Sequence, residues 1–229
     1  MITFYDGKKL NQLNSRLRGR EILPATVERV IDWRPGATNP FVSKNRYTWK
    51  KINISIEIRG DGNATEIETA KANLTRYFNG QFITFDDMPA WRFYVVLDGE
   101  PSISDNYNAL YQTIDFSLLA YMETANEITA GVAGGMIWAG NTMVEEIPAT
   151  IEARGADTIT VNLGDDTFVI SNVGTGTVTI GGGKVLKDGV NHWEHVEMTS
   201  FPRLKNGYTT FSKSPTAAFV VVKYRGRLV

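Results

Sequence analysis

A chain of 229 residues that is 42% hydrophobic and 21% charged has the make-up of a globular protein with one large or two small domains. Its 24 basic residues are balanced by 25 acidic ones, which excludes the broad basic footprint of a protein built to grip nucleic acid. Cysteine is absent, which excludes disulfides, thiolate metal sites and cysteine nucleophiles.

The start, Met1-Ile2-Thr3-Phe4-Tyr5-Asp6-Gly7, is too polar for a signal peptide, and no apolar run reaches membrane-spanning length. Folding in a cytoplasm is expected, so the sequons at Asn53, Asn63 and Asn73 carry no weight. Residues 26–33 read as a strand partnering the clearest strand of the chain, where Ile52, Ile54, Ile56 and Ile58 alternate with Asn53, Ser55 and Glu57. The segment between them begins Arg34-Pro35-Gly36 and reaches Pro40, too long and too rich in Pro and Gly for a tight hairpin. A long two-stranded arm over about residues 26–58 is predicted.

After a turn at Gly60-Asp61-Gly62, the periodicity predicts one helix over about 65–79. Thr65 and Glu68 have capping-box spacing, Ile67, Ala70, Leu74, Tyr77 and Phe78 form its apolar face, and Gly80 stops it. Strands follow at 81–85, at 91–97 with Trp91, Phe93, Val95 and Leu97 on one face, and at about 109–122 with Leu110, Ile114, Phe116 and Leu118 on one face. The small, uncharged run 129–135 reads as a connector, and Met136-Ile137-Trp138 is apolar enough to dock on a domain. Short strands at 147–153, 158–163, 167–173 and 177–180, separated by Gly and Asp turns, have the cadence of a sandwich or jelly roll. Phe201-Pro202-Arg203-Leu204 makes a rigid corner, Asn206-Gly207 a turn, and residues 220–228 a final strand with a basic end.

The chemistry-bearing residues point away from catalysis. His192 and His195 lie three apart, which on a strand places them on opposite faces, and no third ligand is evident. Asp86-Asp87, Glu145-Glu146 and Asp165-Asp166 read as solvated turn residues, because glycosidase carboxylates face one another across a cleft. Gly174-Thr175-Gly176 and Gly181-Gly182-Gly183 precede no helix that could complete a phosphate cradle. The stretch from Asp61 begins like a calcium loop, yet Glu66 and Ala72 occupy the positions that need Gly and a bidentate Glu. No catalytic, metal or cofactor site is expected.

The aromatics are more informative. Trp33, Phe41, Tyr47 and Trp49 cluster on the arm, with Pro35 at its tip. Two readings are open: packing on their own sandwich, or burial against a neighbouring subunit, which aromatics favour as anchors.

Two blocks carry a family resemblance. The first is Lys51-Ile52-Asn53-Ile54-Ser55-Ile56-Glu57-Ile58-Arg59-Gly60-Asp61 followed by the helix; the second is Phe-Pro-x-Leu at 201–204, the glycine turn, and Tyr224-Arg225-Gly226-Arg227-Leu228. Both resemble the distal tail (Dit) proteins of long-tailed phages, and Gly181-Gly182-Gly183-Lys184-Val185-Leu186-Lys187-Asp188-Gly189 resembles the family's preceding strand-turn-strand. Departures are Phe116-Ser117-Leu118-Leu119-Ala120-Tyr121-Met122, where many relatives carry Phe-x-Cys-x-Asp-Pro-Tyr, and the lack of an Asp near Gly181.

The resemblance implies a mainly β protein. Its domains are an N-terminal tail-tube-like β-sandwich with one helix and a hairpin arm (1–128), a connector (129–142), and a C-terminal galectin-like sandwich (143–229). It also implies a homo-oligomeric, six-membered ring at the virion tail tip. That ring joins the tail-tube protein to the tail-associated fibre or lysin protein and to receptor-binding or adaptor proteins, with neither membrane nor sequence-specific nucleic acid as partner. Trp33, Pro35, Phe41, Tyr47 and Trp49 are then ring-interface residues. The competing expectation is a carbohydrate-binding adhesion protein, with Trp138 or Trp193 stacking on a sugar, although no galectin-type His-x-Asn-x-Arg with a following Trp-Gly-x-x-Glu is present. Another tail-tube-type structural protein would explain the first half alone.

Overall fold

A computed structural model of the chain describes residues 1–25, 27–32, 41–47, 49–103, 110–131, 134–140 and 146–228, with the backbone alone over 27–32 and 41–47. The chain is mainly β and divides into two compact units, Met1–Ala125 and Asn126–Leu228.

The N-terminal unit runs through β1 (Ile2–Phe4), β2 (Ser15–Ile22), β3 (Val27–Asp32), β4 (Phe41–Tyr47), β5 (Lys50–Arg59), α1 (Ala64–Tyr77), β6 (Gln81–Phe85), β7 (Trp91–Leu97), β8 (Ser102–Ile103) and β9 (Tyr111–Thr124). Its main sheet is antiparallel in the order β1-β6-β7-β9-β5-β2, with β8 also beside β9. The alternating isoleucines of β5 are all buried, and β5 lies between β9 and β2.

The expected partner of residues 52–58 was 26–33, and the structure corrects this. β3 pairs with β4 in a two-stranded sheet of its own, and the partner is β2. A bulge hides β2 in the sequence. Leu17 and Ile22 have opposite parity, but the register shift between Leu17 and Gly19 sets Leu17 opposite Ile56 and Ile22 opposite Ile52.

Helix α1 buries Ile67, Ala70, Leu74 and Tyr77, with Phe78 just beyond, as its periodicity predicts. Its cap is Asn63 rather than Thr65: the Asn63 side chain accepts from the Thr65 N–H at 3.0 Å, and Glu66 meets the Asn63 amide at 3.4 Å. Asn satisfies an orphan N–H as well as Thr does, so two adjacent cap signals competed. Gly80 at φ +77° lets the chain turn out of the helix. The Phe78 ring then lies 5.0 Å from Phe116 and 5.7 Å from Phe4, tying the helix end to the sheet.

Along β9, Ile114, Phe116 and Leu118 face inward as expected, but Leu110 precedes the strand and is 63% exposed. The inward position at that end belongs to Gln112, whose Oε1 is buried without a hydrogen-bond partner. Burial follows parity here and overrides side-chain polarity.

The C-terminal unit comprises β10 (Ile128–Ala130), β11 (Gly135–Ala139), β12 (Glu146–Arg154), β13 (Ile159–Leu163), β14 (Asp166–Ile170), β15 (Val178–Gly181), β16 (Lys184–Lys187), β17 (Val190–Asn191), β18 (Val196–Glu197), β19 (Arg203–Lys205), β20 (Gly207–Ser214) and β21 (Phe219–Tyr224). One sheet is ordered β10-β21-β12-β15-β16-β17, with β19 also on β12; the other is β11-β20-β13-β14-β18. Both sheets contribute to one core, Ile151, Val178, Ile180 and Val222 from the first and Ile137, Val161, Phe168 and Phe211 from the second. Of the residues expected to link the units, Thr129 and Ala130 pair with β21 as part of β10, and Gly135–Ala139 pair with β20. The Phe-Pro-x-Leu corner buries Pro202 and Leu204, setting Leu204 opposite Ile147.

Candidate subunit-contact surface

The inner face of the N-terminal sheet is covered by α1, and its outer face carries aromatics. Phe82 on β6 stands opposite Tyr94 on β7, which stands opposite Tyr121 on β9. Trp49, directly before β5, continues the row, since Lys50 pairs with Ala120. Ring centroids along this ladder are 5.3 Å apart (Phe82–Tyr94), 5.3 Å (Tyr94–Tyr121, stacked) and 5.5 Å (Tyr121–Trp49). Direct cross-strand aromatic pairs of this kind stabilise a sheet, and four in a row also form a rigid hydrocarbon surface.

One end of the ladder is held electrostatically. Arg92, between Phe82 and Glu123, lays its guanidinium 4.1 Å over the Phe82 ring and donates through Nε to the buried Glu123 carboxylate at 2.6 Å. Val96 and Leu119, opposite one another and half-buried, extend the apolar surface toward β5, where Lys51 pairs with Asp98 at 3.0 Å.

Of the residues expected at a ring interface, Trp49 lies in this ladder and is 41% exposed. Trp33 and Pro35 fall outside the described residues; Phe41 and Tyr47 begin and end β4, and their side chains are likewise outside the description. The sequence reading missed Phe82, Tyr94 and Tyr121. The available signal was that β7 is apolar on both faces: Trp91, Phe93, Val95 and Leu97 on one, Tyr94 and Val96 on the other.

The remaining candidates resolve into structural contacts. His192 and His195 are not on a strand: His192 precedes and His195 ends a 3₁₀ turn (Trp193–His195), which brings their rings within 4.7 Å. His192 Nε2 donates to the Ser171 carbonyl at 2.9 Å, and His195 Nδ1 accepts from the Asn172 amide at 3.1 Å, so each ring already has a partner. Among the described residues no group of three or more His, Asp or Glu is arranged to hold a metal ion. Asp87 takes the Arg20 guanidinium on both oxygens, at 3.0 and 2.7 Å, which holds its carboxyl below the ordinary range. Asp165 is likewise lowered by its hydrogen bond to Lys205 at 2.6 Å. Asp61 sits at φ +42° in the turn leading into α1.

No protein-family model matches the chain, and no curated protein does. Solved structures do. The Dit (gp 19.1) protein of phage SPP1, described as a paradigm of the hub adsorption apparatus in phages infecting Gram-positive bacteria, superposes with a TM-score of 0.69 at 14% identity, covering 98% of each chain. A chain of the phage P2 baseplate in its activated conformation with Ca matches with a TM-score of 0.55 at 9% identity, again over 98% of each chain. The same baseplate with Sr gives 0.52 at 11% identity, over 97% of this chain and 98% of that one. Across both of its units, the chain therefore has the fold of the phage Dit hub protein that its sequence resembles.

Proposed function

We propose that this chain is a structural hub protein at the tail tip of a long-tailed phage or prophage, assembling into a closed homo-oligomeric ring. The observation that carries this reading is the two-unit correspondence to SPP1 Dit over 98% of both chains. A match to one unit would have left open a tail-tube-type protein or an isolated sandwich; correspondence over both favours the hub.

The aromatic ladder supports the ring. An exposed indole backed by three further rings forms an apolar patch of the kind that marks a protein–protein contact. If one copy's ladder meets a different surface on the next copy, the contact is head-to-tail and closes by rotation. In this reading the ring, with six members, joins the tail-tube protein to the tail-associated fibre or lysin protein and to receptor-binding or adaptor proteins. Trp49 and the arm residues Trp33, Pro35, Phe41 and Tyr47 line its subunit contact. The role is mechanical, and the near balance of charge suits a passage that must not retain DNA.

Light scattering and negative-stain imaging of the purified protein test the proposal. Closed rings of uniform size are expected; a monomer at all concentrations, both alone and mixed with tail-tube protein, overturns it.

A further inference from the structure

The C-terminal unit presents a different surface on the outer face of its five-stranded sheet. At one edge Trp138 on β11 and Tyr208 on β20 stand directly opposite, their ring centroids 4.6 Å apart, and they are 54% and 68% exposed. The indole is not loose. A Cβ at Gly140 would fall 2.1 Å from its Cε2 and Cζ2 atoms, so the ring lies flat on the bare Gly140 backbone and offers its other side to solvent. Tyr224 fixes the same residue from within, donating its hydroxyl to the Trp138 carbonyl at 2.7 Å.

Farther along the same face is a row of hydroxyl and amide groups. Ser212 on β20, Asn162 on β13 and Thr167 on β14 are successive cross-strand partners. Thr167 Oγ1 donates to Asn162 Oδ1 at 2.9 Å, and Asn162 Nδ2 donates to Ser212 Oγ at 3.1 Å. This relay fixes the amide's orientation. It leaves a second amide N–H, the Ser212 hydroxyl proton and the Thr167 oxygen lone pairs to meet a ligand. Thr210 lies between platform and row on β20, and Met136 faces it from β11. Tyr208 and Ser212 are four residues apart, about 13 Å at the strand rise of ~3.3 Å per residue. Neither platform nor row carries a formal charge; the acidic Glu197 lies opposite Val169, on the edge strand β18.

We infer that this face binds a neutral oligosaccharide, stacking one sugar ring on Trp138 and Tyr208 and hydrogen-bonding a further ring to the Ser212–Asn162–Thr167 row. The held Trp138 indole, with the Tyr208 ring tilted 50° beside it, suits the C–H face of a pyranose, and paired donors and acceptors in fixed orientation suit its vicinal hydroxyls. Among the described residues, neither the platform nor the row offers a cation to an anionic ligand. A protein partner would be expected to meet a more apolar centre than three hydrogen-bonded polar side chains. The inference does not rest on the tail-tip reading, and either can fail while the other stands.

The test is an array of neutral and anionic oligosaccharides probed with the full chain. Isothermal titration follows with the strongest-binding glycan, its monosaccharide and its dimer. Retention of neutral glycans is expected, with affinity rising from monosaccharide to oligosaccharide. Trp138→Ala and Asn162→Ala should each weaken binding by about tenfold. Gly140→Ala, which displaces the indole without removing it, should also weaken binding. Trp193→Ala should not, because that indole packs with Phe201 on the 3₁₀ turn. Thermal melts of every variant guard against misfolding. The proposal is overturned if no neutral glycan is retained, if only anionic glycans are, if the variants bind as the native chain does, or if Trp138→Ala alters self-association instead.

Discussion

The N-terminal sheet is roofed by a helix, whereas the C-terminal sheets roof one another. The helix-roofed core is rich in aromatics: Phe4, Tyr77, Phe78, Phe85, Phe93 and Phe116 are all buried there. The sheet-on-sheet core is mostly Ile, Val, Leu and Ala, with Phe168 and Phe211 as its phenylalanines. The outer faces differ as well. The N-terminal one carries a row of four aromatics, three on adjacent strands and Trp49 just before a fourth; the C-terminal one carries two aromatics beside a hydroxyl and amide row. Similar backbone geometry thus offers a hydrocarbon surface fit for protein contact in one unit and a mixed surface fit for a hydroxylated ligand in the other.

The largest expected effects test the cores. Phe78→Ala removes the ring that joins helix to sheet and should cost about 3–5 kcal/mol in urea unfolding. Phe168→Ala should cost a similar amount, since that ring is equally buried. The contrast lies in the circular dichroism: Phe78→Ala should lose helical signal first on heating, because α1 is the only α-helix among the described residues. Equal loss of helix in both variants would mean that the two cores are not separable.

The outer faces come next. If the chain assembles into the proposed ring through the ladder, Trp49→Ser with Tyr121→Ser should leave a folded chain without rings, because burying two aromatics contributes about 3 kcal/mol or more per interface. Deleting residues 35–45 should do the same if the arm is part of the contact. Trp138→Ser should leave assembly intact. Rings that survive the Trp49 and Tyr121 changes, seen by negative stain, would remove the ladder from the interface; rings lost with Trp138→Ser would exchange the roles assigned to the two units.

What could be read in the sequence follows from where local pattern and burial agree. β5 and β12 were legible because their alternation is unbroken, and α1 because its apolar face recurs without interruption. β2 was not, because a bulge between Leu17 and Gly19 moves its two apolar side chains onto one face, a correction that parity cannot supply. The ladder was half legible. Trp49 stood out as an aromatic on the arm, but Tyr94 and Tyr121 were masked by apolar residues on the opposite face of their own strands. The Ser212–Asn162–Thr167 row was invisible, since three polar residues from three strands meet only through register.

Gln112 offers a smaller test, of how strictly the N-terminal core enforces parity. Its amide oxygen is buried opposite Ile58 without a partner. An unsatisfied buried acceptor costs about 1–3 kcal/mol, and an apolar side chain of similar shape avoids that cost. Gln112→Met should therefore raise the urea midpoint, by about 1 kcal/mol of stability. A loss would mean that the amide nitrogen makes a contact worth more than the orphaned oxygen costs.

The smallest effect concerns one exposed ion pair in each unit. Asp87 in the N-terminal unit and Asp165 in the C-terminal unit both have carboxyls held below the ordinary value, by hydrogen bonds from Arg20 and Lys205 respectively. A depressed folded-state pKa means that the unfolded chain takes up protons first as pH falls. The stabilisation is therefore full above the unfolded value, about pH 4, and is lost as pH falls through the folded value. The two pairs should not respond equally. Arg20 presents a two-pronged guanidinium, is itself largely covered, and lies 4.2 Å over the Phe85 ring; Lys205 and Asp165 meet through a single contact between exposed side chains. A planar fork held on an aromatic ring loses less side-chain freedom on pairing than a mobile ammonium does. Asp87→Asn should thus lower Tm at neutral pH by more than Asp165→Asn, and both differences from the native chain should shrink as pH falls below the unfolded value, as the native carboxylates become protonated in turn. Thermal melts of the three proteins from neutral pH into acid decide it: a larger effect at Asp165, or a gap that does not narrow in acid, would show that geometry and packing around Arg20 do not set the strength of these pairs.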